Sequence, residues 1–225
     1  YRGAGRPEAV YVMERIIDKI SEKLDMDPVE VMLKNMIRPE DMPYDQGVIY
    51  RDGAKVVYDS GDYPALFRKA LDIADYETFR SKQQKLKDEG KHIGIGISSY
   101  IEGTGIGPYE GAIVRLDETE KFVVNVGSTP HGQSHETTFS QICADEFMVS
   151  PSEITVRAGD TDVVPFGIGT FASRSAVTAG NAVHIASSKL RDKILKVASI
   201  LLEADIEQLE LKDRKIINKQ MPDKF

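Results

Sequence analysis

The chain of 225 residues carries 29 Lys and Arg against 36 Asp and Glu, a net charge of -7, with 41% hydrophobic residues and one cysteine. That length and composition suit one or two globular domains, and no apolar run approaches the roughly 20 residues that span a bilayer. Cys143 alone excludes an internal disulfide framework and an iron–sulfur cluster held by this chain, and cations interspersed with acids leave no basic stripe for nucleic acid.

The opening residues Tyr1-Arg2-Gly3-Ala4-Gly5 lack the apolar core of a signal peptide, so a cytoplasmic location is expected. Without an initiator methionine, and starting directly on a glycine-rich loop, the chain reads as a truncated, processed or split subunit.

From Pro7 to Leu24, Val10, Met13, Ile16, Ile17, Ile20 and Leu24 recur at helical spacing. A second helix is expected from Asp27-Pro28-Val29-Glu30, with Asp27 as cap, and should stop before Arg38-Pro39, giving a helical hairpin. Turn formers dominate from Met42 to Ser60, with β-like pieces at Val48-Ile49-Tyr50 and Lys55-Val56-Val57-Tyr58 around Asp52-Gly53. Tyr63 to Glu89 has the pattern of a helix with a solvated end, closed by Gly90.

The second half turns strand-like at Ile93 to Ile101, Ala112 to Leu116 and Phe122 to Val126, the last two joined by Asp117-Glu118-Thr119-Glu120. Ser134 to Met148 reads as a helix, Ile154 to Arg157 as a strand and Ala176 to Leu202 as a long helix. Ile206 to Leu211 and Lys215 to Asn218, turned by Asp213-Arg214, suggest a closing hairpin. Sheets and helices mix without strict alternation, so the class is α+β, with an N-terminal helical segment over 1–90 and a second portion over 91–225.

Three loops carry the functional signal. Tyr1-Arg2-Gly3-Ala4-Gly5-Arg6-Pro7 sets glycines and arginines before a helix N-terminus, which suits an anion or a simple glycine cap. Gly127 to Glu136 joins a strand to a helix; within it Gln133 can both donate and accept. His131 and His135 stand i, i+4 beside Glu136, the spacing of a zinc site, but no third ligand is evident and Gly132 interrupts the helix. The third loop runs from Gly159-Asp160-Thr161-Asp162 through Gly167-Ile168-Gly169 to Ala172-Ser173-Arg174-Ser175, where Ser173 and Ser175 read as N-caps or as phosphate ligands. His92 and His184 read as structural or surface residues.

In their joint order, the Tyr1 to Ala9 opening, Gly132 to Thr138, and Gly159 to Ser175 resemble the molybdopterin-binding large subunit of the xanthine dehydrogenase, aldehyde oxidase and carbon monoxide dehydrogenase family. The resemblance implies part of a molybdenum-cofactor-binding domain. It places Arg2 and the Ala172 backbone near molybdenum, with no side-chain ligand to the metal. His131, Gly132 and Gln133 would contact the pterin, Ser173 and Ser175 would help hold it, and Ala4 and Glu102 would border the substrate pocket.

The implied cofactor is molybdopterin, the cytosine dinucleotide form included. The implied activity is oxidation of an aldehyde or N-heteroaromatic small molecule with water as oxygen source. Electrons would pass to 2Fe-2S and FAD centres on partner subunits or domains, alongside the remaining part of the large subunit. The family's base glutamate matches no glutamate here, so no catalytic residue is assigned. Two departures stand out: Ser134 replaces a common glycine, and the first loop lacks the cysteine of carbon monoxide dehydrogenases, which argues against carbon monoxide as substrate. A non-catalytic cofactor-scaffold or assembly module is the competing reading.

Overall fold

The structure, a computed structural model, describes residues 3–50, 53–212 and 214–221. Tyr1, Arg2, Asp52 and Asp213, on which parts of the sequence reading fall, lie outside the described residues. The chain divides into two compact units, Tyr1–Ile101 and Glu102–Phe225.

In the first unit, α1 (Arg6–Leu24) and α2 (Pro28–Asn35) form the expected helical hairpin. Asp27 caps α2 by accepting from the Val29 amide at 2.8 Å. Strands β1 (Tyr44–Ile49) and β2 (Lys55–Tyr58) pair antiparallel. The helix expected over 63–89 is two helices, α3 (Tyr63–Ile73) and α4 (Tyr76–Asp88), because Asp75 turns into the left-handed region at φ 49°. Tyr76 is buried, as are Val31, Met32 and Phe67 of the same unit, and its hydroxyl donates to the Asp27 carboxylate, 2.9 and 3.0 Å from its two oxygens. Burial and the Asp27 carboxylate push the Tyr76 phenol up to about 12.

The strand expected over 93–101 is absent. Ile93, Ile95 and Ile97 do keep an alternating half-burial, but side chains take the backbone groups a ladder would use. Gln83 donates to the Ile93 carbonyl at 2.8 Å, Arg6 to the Ile101 carbonyl at 3.0 Å, and the Ser99 amide donates to Glu14 at 2.8 Å.

In the second unit, β3 (Ala112–Leu116), β4 (Phe122–Val126) and β5 (Ile154–Ala158) form one sheet in the order β3-β4-β5. The β3/β4 pair is antiparallel and the β4/β5 pair parallel. Helix α5 (His135–Phe147) is the crossover between the parallel strands, and α6 (Ser175–Leu201) packs beside it. Phe122, Val124 and Val126 alternate onto the helical face, where they meet Phe139, Cys143, Phe147, Ala179 and Val183. The hairpin β6 (Leu209–Lys212) and β7 (Lys215–Asn218) closes the unit. Both units mix helices and small sheets, which is the α+β class expected.

Candidate functional site

Strand register decides where the loops go. Ala112 of β3 pairs with Val126 of β4, which pairs with Ala158 of β5, so one end of the sheet gathers the residues before β3 and after β4 and β5. Segments 102–111, 127–134 and 159–174 therefore meet at the carboxyl ends of the parallel strands, where open sheets place their ligands. Helices α5 and α6 both begin there.

At this end the segments touch directly. A Cβ on Gly127 would stand 2.5 Å from the Gly167 Cα and 2.5 Å from the Phe166 carbonyl, so glycine is required for two backbones to approach. The Gly159 amide donates to the Val126 carbonyl at 2.9 Å and the Gly105 amide to the Ser173 carbonyl at 3.3 Å.

Two residues that the sequence did not single out sit at the centre. Arg174 and Glu110 form an ion pair with both side chains fully buried. The guanidinium also donates to the Ile106 carbonyl at 2.9 Å, the Gly169 carbonyl at 2.8 Å and the Pro108 carbonyl. Glu110 Oε1 accepts from the Ile168 and Gly169 amides at 3.0 and 3.1 Å. Glu110 Oε2 has no hydrogen-bond partner, and a Cβ on Gly127 would stand 3.1 Å from it. The signal available in the sequence was charge itself: an Arg flanked by small residues and a Glu after Pro108-Tyr109, both in glycine-rich surroundings.

The expected contact residues divide by exposure. His131, Gly132, Gln133, Ala172 and Ser173 are exposed, as is Glu102. Gly132 has φ 100° and open space around it, and Gln133 Oε1 accepts from the His131 amide at 2.5 Å, which orients the carboxamide. Ala172 and Ser173 are consecutive left-handed residues, at φ 49° and 52°.

Neither serine caps α6. Arg174 holds the N-cap position, and the buried Ser175 hydroxyl donates to Thr170 Oγ1 at 3.1 Å. In the first unit, Ala4 is exposed at φ 42° between Gly3 and Gly5; Arg2 lies outside the described residues.

A helix N-terminus leaves amide groups that a side-chain cap normally satisfies. Asp27 and Asp62 cap α2 and α3 in this way, whereas α1, α5 and α6, which follow the three loops, have no side-chain cap. Such termini accept an anionic or hydrogen-bonding ligand. The α4 N-terminus also lacks a cap and faces no such loop.

His131 is exposed whereas His135 is buried. The His135 ring is buried, with Nδ1 3.3 Å from the Ser128 carbonyl and its face tilted against Phe139. Among the described residues no cluster of three His, Cys, Asp or Glu is placed to hold a metal. His184 pairs with Glu146 at 2.8 Å on the exposed side of α6, and His92 is exposed.

Comparison with known proteins gives the family of the chain. Residues 69–225 match one family model described as a molybdopterin cofactor-binding domain, and residues 1–36 match a second of the same description. The carbon monoxide dehydrogenase large chain of Afipia carboxidovorans is 34% identical over 97% of this chain and 28% of its own length.

Among solved structures, reconstituted CO dehydrogenase from Oligotropha carboxidovorans superposes with TM-score 0.82 at 35% identity, covering 97% of this chain and 28% of that one. Quinoline 2-oxidoreductase from Pseudomonas putida 86 gives TM-score 0.79 at 31% identity, over 93% of this chain and 27% of that one. The chain belongs to the molybdopterin cofactor-binding domain family of the molybdenum hydroxylases, whose members it resembles include carbon monoxide dehydrogenase and xanthine dehydrogenase molybdenum-binding subunits. It spans under a third of the length of the relatives it matches. No described helix is long and apolar enough to cross a membrane.

Proposed function

We propose that the loop-bearing end of the β3-β4-β5 sheet holds the molybdenum cofactor of a hydroxylase that oxidises an aldehyde or N-heteroaromatic small molecule in the cytoplasm. The observation that carries this reading is the register that sends segments 102–111, 127–134 and 159–174 to one sheet end. The available surface fits a pterin: unhindered backbone at Gly132, an oriented amide at Gln133, and uncapped amides at the starts of α5 and α6.

Within that reading Gln133, Gly132 and His131 bind the pterin. Ala172 approaches the metal through its backbone, Ser173 and Ser175 hold the cofactor, and Glu102 lines the substrate pocket. Arg2 and Ala4 are added on their loop's sequence alone. When bound, the cofactor supplies the redox centre and activates water as the oxygen source. The protein's part is to bind, orient and exclude solvent; the catalytic base is assigned to no glutamate of this chain. The cofactor is molybdopterin, in the cytosine dinucleotide form or without the nucleotide, and electrons leave through 2Fe-2S and FAD centres on partner subunits. Carbon monoxide is disfavoured because the first loop lacks the cysteine of carbon monoxide dehydrogenases, and Cys143 is buried in the core of the second unit.

Elemental and pterin analysis of the chain, alone and with its flanking coding sequence, tests the reading. Molybdenum is expected in the longer product, and its absence there would refute a cofactor role. In that product Gln133→Ala should weaken cofactor retention about tenfold, the loss of roughly one charge-assisted or two neutral hydrogen bonds. Because Gln133 is exposed, thermal stability should stay within a few degrees of wild type.

A further inference from the structure

Arg174 is the largest fully buried side chain of the described residues, and its pairing with Glu110 calls for a reason. Burying an ion pair is not in itself stabilising, since apolar side chains of similar volume often serve as well or better. An apolar pair could not, however, satisfy the backbone that Arg174 and Glu110 serve. Between them they partner five main-chain groups: the carbonyls of Ile106, Pro108 and Gly169 and the amides of Ile168 and Gly169. All five lie in stretches without helix or strand, where no ladder is at hand to satisfy them.

The residues next to this anchor are Ala172 and Ser173, each in a left-handed conformation that side chains rarely adopt. Such backbone persists only where its surroundings over-determine it. Arg174 follows Ser173 directly, grips Gly169 on the far side of the turn, and lies over the Phe171 ring at 5.1 Å. The Ser173 carbonyl is held in turn by the Gly105 amide, in the same segment that Arg174 grips at Ile106 and Pro108.

We infer that Arg174 and Glu110 are positioning residues: their buried pair fixes the turn from Gly169 to Ser173 and thereby sets the backbone that Ala172 and Ser173 present to the cofactor. This inference rests on the cofactor reading above. The planar guanidinium fork reaches a carboxylate and three carbonyls at once, which a lysine ammonium on a flexible stem cannot do. Glu110→Gln, by contrast, keeps an acceptor for the Ile168 and Gly169 amides but removes the charge facing Arg174.

The test uses the cofactor-loaded large subunit carrying wild-type sequence, Arg174→Lys or Glu110→Gln. Secondary structure and melting temperature report the fold, elemental analysis reports molybdenum, and the Mo(V) resonance after dithionite reduction reports the metal's surroundings. Arg174→Lys is expected to keep the fold, to shift the Mo(V) spectrum, and to lose molybdenum on dialysis about tenfold faster, since displacements near 1 Å have large effects at such sites. Glu110→Gln should move the same readouts in the same direction by a smaller factor. A folded Arg174→Lys protein that has lost its molybdenum supports the inference as well. Loaded variants with wild-type spectra and retention overturn it, as does failure of both variants to fold, which would assign the pair to folding. Wild-type protein without molybdenum defeats the cofactor reading itself, an outcome distinct from loaded protein with unchanged variants.

Discussion

Left-handed backbone at a residue with a Cβ costs about 1 kcal/mol, and each of the three loops contains it: Ala4, Ser134, and the pair Ala172 and Ser173. Ser134 is the most testable. It sits at φ 57° before α5, makes no side-chain cap, and offers Thr138 only its carbonyl. Glycine would keep that carbonyl and relieve the strain, so Ser134→Gly should stabilise the protein by about 0.5–1 kcal/mol in urea unfolding. A loss of stability would show that the hydroxyl has a role the geometry does not reveal. Gly127→Ala should act the other way, by about 2–3 kcal/mol, because its Cβ would stand 2.5 Å from the backbone of Gly167. An unchanged unfolding midpoint for Gly127→Ala would mean that the two loops do not meet as closely as this. The glycine-rich loops were legible in the sequence because glycine and small polar residues are local signals. Glu110 and Arg174 were not, because each is explained only by a partner 64 residues away.

Elements with their own periodicity, such as α1, α5, α6, β3 and β4, were readable at the sequence level for the same local reason. The stretch over 93–101 had the alternation of a strand but not the neighbour, and whether a strand finds a partner is a tertiary matter. The break between α3 and α4 depended likewise on Tyr76 reaching Asp27 across the first unit. The packing of α5 on α6 makes a prediction of its own through Cys143, which burial pushes up to about 11 from an ordinary value near 9. The folded state therefore holds the thiol proton more tightly than the unfolded state does. Its contribution to stability is fully present below pH 9 and is lost as pH rises from 9 through 11, by about 2 kcal/mol at pH 11. Urea midpoints at pH 8 and pH 11 should fall less in Cys143→Ala than in wild type. Tyr76 titrates with the same sign in both proteins and cancels in that difference. An equal fall in the two proteins would show that the folded thiol ionises at its ordinary value, with no cost from burial.

At the scale of the whole chain the accessible surface is 15276 Å². Two separate compact units of roughly 100 and 125 residues would together expose only about 12,000 Å² by the scaling of monomeric domains, so the excess does not depend on how the units are arranged. Large apolar side chains are among the exposed groups. Helix α1 exposes Val12, Met13, Ile16, Ile20 and Leu24, and α6 exposes Ile200 and Leu201 at 70% and 76%. Apolar surface of this extent normally has a partner, and the relatives are more than three times as long as the matched region. The chain expressed by itself should therefore bind an environment-sensitive hydrophobic dye and sediment above its monomer mass of 25.0 kDa. Ile16→Glu with Ile20→Lys, one turn apart on α1, should reduce both effects while moving the melting temperature little, since neither side chain is buried in this chain. The same pair introduced into a full-length large subunit should instead lower its stability by about 2 kcal/mol or more, because there each charge would be buried. A dye-free monomer from the chain alone would mean that these faces need no cover, and an unperturbed full-length double variant would mean that α1 meets solvent in the assembled subunit too.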